Sequence, residues 1–184
     1  MKPEEFKKKL DASIRGVILK LKKHQRYMIS FGGDGMIWYI QEGIVLAEKV
    51  NADGTFLGTG LCKPGELLGV TSYNKDNGII SCIPLKESTL VGYNFNSFRD
   101  LIRKDCDAHD YVTEYLARRF RFMMNMLELN SLHEVSARIK YFEGMLMKLN
   151  DPEIMNINDT IVAEFIGAHP SSVSRARSKE YRSD

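Results

Sequence analysis

The chain has 184 residues, enough for one large domain or two small ones with a real core. Hydrophobic residues make up 43% and charged residues 27%, the balance of an ordinary soluble globular protein, and no apolar run approaches the roughly 20 residues of a membrane span. The net charge of +2 is unevenly spread: residues 1–26 hold nine Lys or Arg against three acids, and residues 170–182 hold four against one.

The first ten residues, MKPEEFKKKL, lack the apolar core of a secretory signal, so a cytoplasmic protein is expected. Cys62, Cys82 and Cys106 are scattered, without the CxxC spacing of a zinc or iron–sulfur site, and read as buried thiols. In chain order, Phe6, Leu10, Ile14, Val17, Ile18 and Leu21 recur at three- and four-residue steps, predicting an amphipathic helix over residues 3–24 with Gly16 as its candidate break. FGGDG at 31–35 reads as a turn. The period then changes: MIWYIQ (36–41), IVLAEKV (44–50), TFLGTGLC (55–62), IISCIPL (79–85) and TLVGYNF (89–95) are short β-rich runs. They are separated by turn-forming segments, among them NADG at 51–54 and KDNG at 75–78. Strands this short and this regularly spaced predict a compact antiparallel barrel or roll.

Helical periodicity returns after Asn96 and dominates from about Asp107 to Asn130. There Val112, Tyr115, Arg119, Phe122, Met126 and Leu129 form one stripe, and Leu116, Phe120, Met123, Leu127 and Asn130 form a second beside it. Two stripes on one helix point to two partners, the barrel and the same helix of a second copy; a single wide core-facing stripe fits the pattern equally well. Ser131 to Glu134 has capping-box spacing, which restarts a helix over 135–149 and places a division of the chain close to residue 131.

The last stretch carries the strongest functional signal. Asn158 can cap a helix with Ile161, Val162, Phe165 and Ile166 on its apolar side, and Gly167 supplies the positive φ of a sharp reversal. Pro170 suits the first turn of a second helix over 171–181, whose one apolar anchor is Val173. Its remaining side chains, Ser171, Ser172, Ser174, Arg175, Arg177 and Lys179, are suited to a DNA major groove, where Arg grips guanine bidentately and Ser bonds phosphate or base edges. An ordinary helical hairpin with a solvated face has the same composition. The joint spacing of Ala163, Gly167, Val173 and Arg175 favours a helix-turn-helix.

The order of barrel, proline-glycine loop, long helix, further helix and helix-turn-helix resembles the catabolite-activator-type (CRP/FNR) transcription regulators over roughly residues 25–182. The loop PGELLG (64–69) resembles the family's PGDxxG loop at the effector cassette, and IVAEFIGAHPSSVSRARSKE its helix-turn-helix run. The resemblance implies an α+β protein. It would comprise an effector-sensing, cyclic-nucleotide-binding-domain-like β-roll with a dimerisation helix (1–130) and a helix-turn-helix DNA-binding domain (131–184). It implies a homodimer formed through residues about 107–130, double-stranded DNA as partner, a small-molecule effector or none, and no membrane. It carries DNA contact onto His169, Pro170, Ser171, Ser172 and Arg175, with Arg175 as the base-reading arginine; Ser174, Arg177 and Lys179 join them by position.

Two departures qualify the resemblance. Cyclic-nucleotide binders place a Glu where this chain has Val70, and an Arg-Ser pair where it has Gly78 and Ile79. A buried phosphate needs such partners, so the effector is expected not to be a cyclic nucleotide. The candidate effector pocket comprises Trp38, Glu66, Leu68, Val70, Gly78 and Ile79. Relatives also follow the second helix with a β-hairpin wing, whereas this sequence ends at Asp184, so the wing reads as truncated.

A cupin-type enzyme would need two or three His with a carboxylate on neighbouring strands. His24, His109, His133 and His169 all fall outside the predicted strands, so no metal, cofactor or catalysis is expected. The remaining alternative is a degenerate relative that binds a ligand or a protein and no longer binds DNA.

Overall fold

The computed structural model describes residues 1–31, 35–70, 78–154 and 157–180. Helix α1 (Pro3–Ser13) precedes strands β1 (Val17–Leu21), β2 (Tyr27–Phe31), β3 (Met36–Glu42), β4 (Val45–Val50), β5 (Phe56–Cys62), β6 (Leu67–Leu68), β7 (Gly78–Pro84) and β8 (Ser88–Asn94). Helices α2 (Phe95–Lys104), α3 (Cys106–Ser131), α4 (Val135–Met147), α5 (Asp159–Ile166) and α6 (Pro170–Glu180) follow, with a 3-10 turn at Pro152–Ile154. The FGGDG and KDNG turns and the end of the basic cluster at Arg182 run into residues outside the described ones.

The strands form one rolled sheet in the order β1-β8-β3-β2-β7-β4-β5, with β6 against β3. Among the described residues every pairing is antiparallel except a single parallel contact, Phe31 to Met36. This is the α+β roll that the alternating runs predict. The NADG turn closes β4 onto β5: Asn51 N donates to Thr55 O at 2.8 Å, and Gly54 takes φ +81°, a conformation that favours glycine.

Two predicted elements need correction. The helix expected over 3–24 ends at Ser13, and residues 17–21 instead pair with β8, Val17 opposite Gly92 and Leu21 opposite Ser88. Val17 and Ile18 are 50% and 66% exposed on this edge strand, so their helical spacing is not a core stripe. Ser131 is not a cap either: it is the last residue of α3, and its Oγ donates to Glu128 O at 2.7 Å. Helix α4 starts after Glu134, whose side chain makes no capping bond.

Helix α3 separates its two stripes cleanly. Val112, Tyr115, Met126 and Leu129 are buried against the roll and the later helices, while Leu116, Phe120, Met123 and Leu127 are 42–65% exposed. The single wide buried stripe is therefore excluded. The helix is capped by Asp105, which accepts from Ala108 N at 2.9 Å, and Lys9 of α1 ties that carboxylate down at 2.6 Å. Tyr111 and Tyr115 donate to the carbonyls of Gly65 and Leu67, so α3 holds the PGELLG loop directly.

The carboxy-terminal helices share a core with the roll. Leu46, Leu61 and Ile83 of the sheet join Leu129, Phe142, Phe165 and Val173 in one buried cluster. Phe165 of α5 lies over Gly58 of β5, where a Cβ would stand 2.3 Å from its ring. Arg26, from the turn after β1, bridges the same junction: it donates to Glu48 of β4 at 3.1 and 3.2 Å and to Glu164 of α5 at 2.5 Å.

Candidate nucleic-acid interface and effector cavity

Helices α5 and α6 are built as their sequence predicts. Asn158 Oδ1 accepts from Ile161 N at 2.9 Å, and Gly167 turns the chain at φ +62°, ψ 47°. Two carbonyl bonds follow from that turn, since Gly167 N and Ala168 N both donate to Ala163 O. Replacing Asn158 with Ala should lower folding stability by about 1 kcal/mol in a urea titration, through loss of one N-terminal acceptor. His169 occupies the position before α6. Its carbonyl accepts from Ser172 N at 2.9 Å, and its Nδ1 accepts from Ser171 N at 3.3 Å, a capping role ordinarily played by Ser or Asp.

The two sides of α6 differ sharply. Val173 is fully buried, as its place as sole apolar anchor requires. Arg177, four residues on, lies on the same face and turns inward. It donates to Glu143 Oε1 and Asp159 Oδ1, both at 2.8 Å, and to Ile157 O at 3.1 Å. Burial opposes its charge, and the two carboxylates outweigh that effect, so its pKa is raised. Its assignment to DNA contact is corrected: Arg177 clamps α6 to α4 and α5. Ser171, Ser174, Arg175 and Lys179 are exposed on the other side, with Ser172 and Pro170 half-buried beside them. Arg175 Nε donates to Ser171 O at 3.2 Å, which lays the guanidinium along the helix surface.

A groove of about 510 Å³ runs between this face and the start of α4. His133 and Lys140 line it together with Ser172, Arg175 and Lys179, with Glu134 the acid among them. Sequence reasoning missed Lys140, although its separation from Ser136 by one helical turn could have placed both on one face.

A larger cavity of about 630 Å³ lies between the roll and α3. Leu68, Val70 and Ile79 of the predicted pocket line it. Trp38 does not: its Nε1 donates to Ser30 O at 3.0 Å, and its ring fills the space that the missing side chain of Gly92 leaves. Glu66 also belongs elsewhere, in a separate cavity of about 190 Å³ with Lys63 and Arg118, where burial raises its carboxyl pKa. Gly78 sits in the sheet opposite Phe31. Ile79, at the position of the cyclic-nucleotide arginine-serine pair, is 62% exposed and offers no donor to a phosphate.

The charged groups in the large cavity's wall are Glu48, Lys49 and Arg119. Glu48 is fully buried and already engaged: Arg26 reaches it from outside, and Ser81 Oγ donates to it at 2.7 Å. Arg119 lies across β5, donating to Leu61 O at 3.1 Å and Thr59 O at 3.3 Å. That path exists because residue 60 is glycine; a Cβ there would stand 2.0 Å from Nη2. Cys62 and Cys82 are buried close by, and burial pushes their thiols up to about 11 and about 12, whereas Cys106 is exposed at the start of α3. Among the described residues, no three His, Cys, Asp or Glu side chains gather as a metal site, and no helix is long and apolar enough to cross a membrane.

No protein-family model matches the sequence, and no curated protein sequence does. Solved structures do match. The c-di-GMP-responsive global regulator CLP of Xanthomonas campestris superposes with a TM-score of 0.78 at 15% identity, over 98% of this chain and 92% of that one. A CRP-family transcriptional regulator of Thermus thermophilus gives 0.72 at 17% identity, over 90% and 85% of the two chains. A protein of Eubacterium rectale described as a transcriptional regulator of the CRP/FNR family gives 0.69 at 13% identity, over 94% and 80%. At these identities the likeness shows the fold, which is that of the CRP/FNR regulators.

Proposed function

We propose that this chain, carrying the CRP/FNR regulator fold, is a sequence-specific, homodimeric DNA-binding transcription regulator without catalytic activity. Residues 131–184 act as the DNA-reading unit, and residues 1–130 sense an effector and dimerise. The protein works in the cytoplasm on double-stranded DNA. The observation that carries the reading is the division of α6, with Val173 and Arg177 turned inward and Ser171, Ser174 and Arg175 turned outward. A helix fixed on one side and dressed with hydroxyls and a guanidinium on the other is suited to the major groove.

Dimerisation is supported by the exposed stripe of α3. Phe120, Met123, Met124 and Leu127 are 49–65% exposed on one long helix, a costly surface for a monomer and a natural seam for a second copy. Pairing there would carry two α6 helices into successive major-groove faces about 34 Å apart. An effector in the roll cavity would shift the population between arrangements of α3 and the DNA-reading unit, because that helix walls the cavity and leads into α4.

The test is selection of a binding sequence from random DNA, followed by affinity measurements on wild type and Arg175→Ala. The substitution should weaken specific binding by about 1–3 kcal/mol and relax the preference at one base pair. Unchanged operator affinity would remove Arg175 from the reading. Failure to enrich any sequence at low salt would instead favour the relative that no longer binds DNA.

A further inference from the structure

We infer that the cavity between the roll and α3 takes an amphipathic monoanion, an aliphatic or aryl-aliphatic carboxylate whose head group meets Arg119 and whose apolar body fills the roll. The inference rests on the effector role proposed for that cavity and adds the chemical class of its occupant.

Size comes first. At about 630 Å³ the cavity falls within the roughly 300–1,000 Å³ of small-molecule sites. Its wall is chiefly hydrocarbon, with Phe31, Val50 and Ile80 from the sheet and Met126 from the buried side of α3. Met123 and Leu127 come from the exposed stripe of that helix, so that a second copy seated on the stripe would complete the chamber. Such a wall rewards a ligand with an extended apolar body.

Charge comes second. Glu48 is engaged by Arg26, which it shares with Glu164, and the wall also carries the positive charges of Lys49 and Arg119. Among the described residues no carboxylate lies within ion-pair distance of Arg119, and its hydrogen bonds go to two main-chain carbonyls, which leave most of its five N–H groups free. Two nearby groups that could offset the charge do not. Burial keeps the Cys62 thiol protonated, pushed up to about 11, and holds the Tyr115 phenol well above its usual range. Glu66 shares the smaller cavity with Arg119 and supports the guanidinium's charge from beyond ion-pair distance. A half-buried guanidinium with no ion-pair partner among the described residues, at the edge of an apolar chamber, is the complement of a carboxylate on a hydrocarbon body.

The Thr59 hydroxyl is already engaged, donating to Ala47 O at 3.1 Å, and the side-chain donors that the described wall offers an anion are on Arg119, Lys49 and Asn130.

Calorimetric titration of the full-length chain with decanoate, 1-decanol and cyclic AMP, each below its aggregation limit, tests the assignment. Decanoate should bind at least about tenfold more tightly than 1-decanol, the effect of one charge-assisted contact. Arg119→Met should reduce that preference to within about threefold, and Arg119→Lys should retain part of it. Equal affinity for acid and alcohol in the wild type, a preference untouched by Arg119→Met, or preferential binding of cyclic AMP would each overturn it. The wild-type comparison stands even where a variant fails to fold. Sequence-specific DNA binding measured on the same preparation separates the two readings: intact DNA recognition without a decanoate preference removes this inference alone.

Discussion

An Arg26→Met variant should lose about 3 kcal/mol of folding stability in a urea melt. The reason is Glu48, whose carboxylate is 0% exposed and accepts from Arg26 Nε, Arg26 Nη2 and Ser81 Oγ. Without the guanidinium, a buried carboxylate keeps one hydroxyl donor and no counter-charge. The arginine itself is 31% exposed, which puts the loss at the lower end of the range for broken buried pairs. Replacing Glu48 with Met in the same chain should recover most of it, because the double variant buries hydrocarbon where the single one strands a charge. A single-variant loss below about 1 kcal/mol would mean that water solvates Glu48, and the pair would then rank with ordinary surface bridges.

Phe165→Ala should cost about 3–5 kcal/mol and make the carboxy-terminal helices the first part of the chain to yield to protease. Phe165 is fully buried, its ring 4.4 Å from that of Phe142 and seated over Gly58 of the roll. Truncation empties the contact on both sides, since the roll offers only glycine there and cannot collapse into the space. Phe165→Leu should cost less than half as much, because it refills most of the volume. Near-equal losses for the two variants would show that the site relaxes freely, contrary to its packing.

Most of the roll was legible because its strands are short, β-branched and bounded by strong turn chemistry, as NADG shows between β4 and β5. β1 was not. VILKL continues the three- and four-residue spacing of Phe6, Leu10 and Ile14, and only Gly16 and the exposure of Val17 and Ile18 separate an edge strand from a helix. Edge strands lack the one-sided burial that makes alternation readable. The two stripes of α3 were legible as a pattern, but which of them is covered depends on the path of the sheet, a long-range property.

The candidate sites divide in the same way. Asn158, Gly167 and Val173 act locally, through caps, φ and one buried contact, and each could be assigned from its neighbours in sequence. Arg177 was misassigned by residue type, although its four-residue step from Val173 marks the inward face. Arg119 was counted only as a member of a helical stripe. Its path over Gly60 joins residues 59 apart in the chain, and no local pattern announces that. Trp38 and Glu66 were placed in the pocket, while the fold spends one on filling beside Gly92 and the other on a neighbouring chamber.

The clamp made by Arg177 bears on how such a protein could change its targets. Because one edge of the 11-residue α6 is pinned by two carboxylates and a carbonyl, the opposite edge inherits a fixed attitude that it does nothing to maintain. If α6 reads DNA as proposed, substitutions at Ser174 would therefore alter which operators are preferred at almost no expense in folding. Drift in recognition and integrity of the scaffold are set by different sides of the same few turns.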